Sequence, residues 1–225
     1  MRARTHRVVA EAACKFLDLS EDRTKTVVHH TMDPDKNLRF MNSFVRGLKK
    51  GNPEIFLGER RYWVKDVYSL HTHKKAPHYS LFFASISHKL ARGGFQKESD
   101  VTLSWAIHYL VDCATPVHAS TLVSLKDFLA RRHRRYEDHL DDALVSGTLD
   151  LLVSLQNGIN KGIEGPTEYA IEQALALTKF SSDLYKPLLK SIKARKISEM
   201  EEISHRVFER LGADMAPFLV TFYVP

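Results

Sequence analysis

WAIHYLVDCATPVHA, residues 105–119, and HRRYEDH, residues 133–139, decide how this chain is read. His108 and Asp112 are four residues apart, and so are His133 and Glu137. On an α-helix, residues at that spacing lie one above the other on one face. Each pair therefore aims an imidazole and a carboxylate at one point. Pro116 ends the first of these helices, and His118 follows directly after it. Imidazole and carboxylate without thiolate is a ligand set that suits zinc. A lone His–Asp pair reads first as a core histidine beside an aspartate held by an arginine. Two pairs, a Pro-His turn between them and a histidine near the N-terminus turn the reading toward metal. An ionised aspartate inside an apolar helix needs a cation, because an unpaired buried charge is costly.

Working outward, residues 100–114 read as the central helix, with Asp100 as its cap. It is apolar on most faces, which places it inside a bundle. Before it, a helix over 79–91 is stopped by Gly93 and Gly94. A helix over 5–18 is capped by Thr5, carries His6 in its first turn and has an apolar stripe from Val8 to Leu17. Residues 19–34 are polar and loop-rich at their ends, and a helix over 36–49 is ended by Gly51 and Pro53. Residues 52–78 have no clear period, as functional loops often do. Beyond the quoted stretch, helices are expected over 121–145, 148–162, 166–194 and 198–211. Pro187 should kink or break the third of these, and Gly212 should end the last. The tail PFLVTFYVP, residues 217–225, is β-branched and aromatic and reads as a packed extended strand. With no internal repeat or low-complexity tract, residues 1–225 read as a single all-α, multi-helix domain.

Composition agrees. Only 10 Gly and 8 Pro stand against long runs of helix formers. The net charge of +6 favours an anionic partner, such as a phosphate ester, nucleic acid or a membrane surface touched peripherally. Two cysteines exclude a disulfide framework and suit buried thiols in a reducing compartment. No apolar run has the length of a membrane span, and the N-terminus lacks the apolar core of a secretion signal, so a cytoplasmic location is expected. Eleven of the 12 histidines precede residue 140, which assigns the chemistry to the first two thirds of the chain.

The stretch over residues 104–138 resembles the core of the zinc-dependent phospholipases C, which are related to the single-strand-specific zinc nucleases. The carriers are His108, Asp112, His118, His133 and Glu137 at intervals of 4, 6, 15 and 4, with Pro116 two before the middle histidine and Tyr136 before the glutamate. The resemblance implies an all-α fold and up to three zinc ions. It implies that Asp112 bridges a close pair of them. His108, Asp66 and His78 complete one ion of the pair, and His6 with the amine and carbonyl of Met1 complete the other. His118, His133 and Glu137 hold the third. Glu54, His71 and His73 rival Asp66 and His78. A water between the paired ions would lose its proton near neutral pH and attack phosphorus, with Asp66 as a candidate proton acceptor. The activity implied is hydrolysis of phosphate esters of the phospholipase C kind. A nuclease or nucleotidase, and a non-catalytic metal-binding protein on the same fold, are the alternatives. The basic run Arg131, Arg132, Arg134 and Arg135 reads either as a solvated helix face or as a phosphate-attracting rim.

Overall fold

A helix that is apolar on all sides has no face to give to water, and Gln96–Ala114 is such a helix: every residue from Ser99 to Ala114 is buried. The computed structural model describes residues 3–36, 76–119, 132–145, 155 and 167–223, and every regular element among these is helical. In chain order they are α1 (Ala3–Phe16), α2 (Glu21–His30), α3 (Asp33–Lys36), α4 (Ala76–Arg92), α5 (Gln96–Ala114), α6 (Pro116–Ala119), α7 (Arg132–Val145), α8 (Thr167–Ala194) and α9 (Ile197–Tyr223). Helix α5 is covered by α1, α2, α4, α8 and α9. Trp105 and Tyr109 of α5 meet Phe83 of α4, the first edge-on at 5.2 Å and the second stacked at 5.8 Å.

Gly94 turns α4 into α5. Its φ of 82° lies in the left-handed region. That lets Phe95 N–H reach the Leu90 carbonyl and Gly94 N–H reach the Ala91 carbonyl. The stop expected at the Gly-Gly pair is therefore where α4 ends. The same pattern of paired hydrogen bonds closes α1 at Asp18 and α8 at Arg195, without glycine.

Several expectations are corrected. Asp100 does not cap α5, which starts four residues earlier. Buried inside the helix, it takes three hydrogen bonds from Arg23 of α2, the shortest at 2.8 Å. The polar stretch after α1 is mostly helix α2. Thr5 lies inside the first turn of α1, not at its cap. Helix α8 runs through Pro187, and α9 runs through Gly212 and Pro217 to Tyr223, so the tail is helix and not strand. Leu211, Met215, Phe218 and Phe222 recur at helical spacing and are all buried. Burial of that stripe outweighs the strand preference of the residues around it. No described helix is long and apolar enough to cross a membrane. Most of the helices expected over 36–49 and 148–162, and the start of the one over 121–145, lie outside the described residues.

Candidate metal centre

Asp112 sits in the last turns of α5 with its two carboxylate oxygens facing different histidines. Its Oδ1 is 3.5 Å from His6 Nε2 and 4.0 Å from His118 Nε2. Its Oδ2 is 3.4 Å from His108 Nε2. Helix α5 supplies His108 and Asp112 from consecutive turns. Helix α1 lies against α5 and lays His6 flat on His108, with ring centroids 4.2 Å apart and planes 25° apart. Thr115 supplies the turn between α5 and α6. It precedes Pro116, which forces an extended backbone (φ −87°, ψ 116°). Its carbonyl then accepts from His118 N–H, so α6 folds back and brings His118 beneath Asp112. On α7, Glu137 completes the far side, with Oε1 3.6 Å from His118 Nε2.

These separations are informative because they are longer than the usual hydrogen bond. An N–H···O bond spans about 2.9 Å. Two ligand atoms, each about 2.1 Å from one tetrahedral ion, stand roughly 3.4 Å apart. The contacts at 3.4, 3.5 and 3.6 Å fall at that ligand-to-ligand edge. His6, His108 and Asp112 are all buried, and their ligand atoms lie within 4.8 Å of one another. Three imidazoles and two carboxylates with no thiolate are a donor set that fits zinc.

The surroundings prepare the ligands. His108 Nδ1 donates to the Thr31 carbonyl at 2.9 Å, which leaves the Nε2 lone pair facing Asp112. Burial, reinforced by the neighbouring His6, pushes the His108 imidazole down to about 4, so it is neutral at pH 7. Burial alone would raise the Glu137 carboxyl, but its interaction with the neighbouring His118 outweighs it and holds Glu137 at about 2. Cys14 and Cys113 are buried free thiols. Burial raises both, Cys14 to about 12, so neither offers a thiolate.

The structure also adds a residue that the sequence reading passed over. Asp35, in the single turn of α3, brings Oδ1 to 3.6 Å from His108 Nε2. That turn is held by Asp33, whose Oδ2 is 2.7 Å from His30 Nδ1 and takes a hydrogen bond from Trp105 Nε1 at 3.4 Å. Asp35 fell between the polar stretch and the next expected helix. The signal on hand was the Asp33-Pro34-Asp35 turn directly after His29 and His30.

Not every expected ligand joins this group. His78 is exposed in the first turn of α4. The contacts described among His6, Asp35, His108, Asp112, His118 and Glu137 do not include it. Met1, Asp66, Glu54, His71 and His73 lie outside the described residues. His133 falls on α7 one turn before Glu137, but its side chain is outside the described set. Of the basic run, Arg134 and Arg135 are exposed on the same helix.

A pH prediction follows for chelator-stripped protein. His108 and Glu137 both have folded-state values below their ordinary ones, from 6.5 to about 4 and from 4.5 to about 2. In both, the unfolded chain binds the proton more readily, so acid favours unfolding. Stability present above pH 6.5 should fall as His108 is lost between about 6.5 and 4, and further as Glu137 is lost between about 4.5 and 2. Each shift is on the order of 3 kcal/mol. Thermal melts in chelator at pH 7, 5 and 4 check this; a midpoint that stays level across them would refute it.

No family model and no curated protein sequence matches the chain. Among solved structures it is similar to the alpha-toxin of Clostridium perfringens from avian strain SWCP, with a TM-score of 0.59 and 15% identity. The match covers 97% of this chain and 62% of the toxin chain, so the sequence spans less than two thirds of that protein. At this identity the likeness is one of fold. The chain is an all-α, multi-helix protein with the helical architecture of the alpha-toxin, and on that architecture it carries a buried His6–His108–Asp112 group able to hold a metal ion.

Proposed function

We propose that this chain is a metal-dependent hydrolase of phosphate esters, a phospholipase C-like phosphodiesterase that works with up to three zinc ions. The observation that carries the reading is the spacing around Asp112 and His118, where nitrogen and oxygen atoms stand 3.4–3.6 Å apart, near a tetrahedral ligand edge and beyond the usual hydrogen-bond length of about 2.9 Å. The resemblance over residues 104–138 and the shared fold support it.

His6 and Asp112 would hold one ion, with the Met1 amine and carbonyl as the remaining ligands. Asp112, His108 and Asp35, which lies 3.6 Å from His108, would hold a second; Asp66 and His78, which the resemblance gives to that ion, stay as further ligands to test. His118, Glu137 and His133 would hold the third. The bound ions would supply Lewis acidity and water of lowered pKa. The chain's own part is to keep His108 neutral and aimed through Thr31, and to keep Glu137 ionised. It also walls His6, His108 and Asp112 from bulk water, so that charge interactions there are strong. Arg134 and Arg135 stand exposed on the helix that carries Glu137, where they draw an anionic substrate toward the site.

Metal analysis of protein purified without chelator is the deciding test, and two or three zinc ions per chain are expected. Fewer than two would overturn the multi-ion site. Metal-loaded protein is then offered a chromogenic phosphodiester, phosphatidylcholine vesicles and single-stranded DNA. Hydrolysis of the first two supports the phospholipase C reading. Turnover confined to DNA replaces it with a nuclease. Full metal without any turnover leaves a metal-binding protein on this fold.

A further inference from the structure

Helix α1 begins without the local help that helix starts usually have. Its first turn holds no acidic residue, and its first N–H groups have no partner inside the helix. A partner comes from far along the sequence. Asp141 of α7 accepts through Oδ1 from Thr5 N–H at 3.0 Å and from the Thr5 hydroxyl. The two residues are 136 positions apart. One carboxylate thus takes up a helix-terminal N–H and places a negative charge at the positive end of α1.

Both residues stand next to proposed ligands. Thr5 precedes His6. Asp141 is four residues after Glu137, on the same face of α7. The contacts close into a ring: His6 to Asp112 at 3.5 Å, Asp112 to His118 at 4.0 Å, His118 to Glu137 at 3.6 Å, one turn of α7 to Asp141, and Asp141 back to Thr5 beside His6. Two of those links, His6 to Asp112 and His118 to Glu137, run through groups that a shared metal would join. The Asp141–Thr5 link is made by the chain alone.

From this ring we infer that Asp141 is a positioning residue: it sets the His6-bearing helix against the Glu137-bearing helix before any metal arrives. It touches neither substrate nor reacting atoms. The inference deepens the proposed function and rests on it for the identity of the ligands, but the tie itself is made of protein atoms alone. Its removal should weaken one ion, the one held by His6, more than the others. Residues that orient metal ligands from behind typically contribute 10–100-fold to affinity.

The test compares unmodified protein with Asp141→Ala, Asp141→Asn and Thr5→Val in two measurements. The first is amide hydrogen exchange in the first turn of α1 in chelator-stripped protein. Exchange at Thr5 should be about fivefold faster in Asp141→Ala, the scale of a lost helix cap. The second is zinc retained per chain against a series of buffered free-zinc levels. One equivalent should need roughly 10–100-fold more free zinc in Asp141→Ala while the others keep their midpoints. Asp141→Asn, which keeps an acceptor oxygen, should restore most of both. If Asp141→Ala does not fold, Thr5→Val, which loses the hydroxyl donor but keeps the N–H, should show the same two changes at smaller size. Unchanged exchange overturns the tie. Equal weakening of every zinc equivalent overturns the positioning role and makes Asp141 a general support of the fold. If the unmodified protein binds no zinc, the proposed function fails, and the exchange measurement alone still decides whether Asp141 seats α1.

Discussion

Asp112→Asn is expected to cost the protein more than one metal equivalent and to lower phosphodiester hydrolysis on the order of 10³-fold, the scale seen when a principal source of transition-state charge stabilisation is removed. The substitution keeps shape and volume, so packing is not the cause. Asp112 is 1% exposed, and each of its oxygens faces a different histidine. An amide offers one oxygen, no charge, and an NH2 group directed where a cation would sit. Stability separates this from a folding defect. In chelator-stripped protein Asp112 is a buried carboxylate among imidazoles, and an amide in its place relieves the desolvation cost of a buried charge. Stripped Asp112→Asn should therefore melt no lower than stripped unmodified protein, while the metal-loaded comparison favours the unmodified chain. Metal content is the direct check: a variant that keeps its full complement would make Asp112 a structural core residue and nothing more.

Trp105→Ala should be the most damaging core substitution, lowering unfolding free energy by about 3–5 kcal/mol in urea titrations. Trp105 is fully buried on the helix whose residues from Ser99 to Ala114 are all buried, and it packs edge-on against Phe83. Its indole N–H does a second job. It donates to Asp33 at 3.4 Å, in the same short turn that carries Asp35 to within 3.6 Å of His108. Trp105→Phe separates the two. Most of the packing survives, the donor does not, and the loss should be near 1 kcal/mol with a clear drop in zinc retention. Phe83→Leu is the converse: packing suffers, Asp33 keeps its donor, and zinc retention should hold. A loss below about 1 kcal/mol for Trp105→Ala would mean that the core does not depend on this side chain.

Much of this arrangement was legible in the residues because it is local. The intervals from His108 to Asp112 and from Asp112 to His118 lie on one helix and the turn after it, and there the 3.6-residue repeat and the effect of Pro116 do all the work. Gly94 was legible for the same reason, as the left-handed residue that ends α4. What escaped is non-local. Asp35 reaches His108 across 73 residues and Asp141 reaches Thr5 across 136, and no periodicity links such positions. Two end signals were also overruled by packing. Gly212 sits buried inside α9, and the stretch after Pro217 is helical because Phe218 and Phe222 extend a stripe that the bundle covers. Asp100 looked like a cap because nothing in the neighbouring residues revealed Arg23 waiting on α2.

The uneven burial around Asp112 has a kinetic consequence. His6, His108 and Asp112 are at most 1% exposed, on or against a helix covered on every side. His118 is 26% exposed and Glu137 12%. If ions bind as proposed, one on the outer pair would leave while the bundle stays closed. One at the inner group would wait for the helices themselves to part, an opening far costlier than a side-chain motion. Metal shortage would then strip the outer position before the inner group.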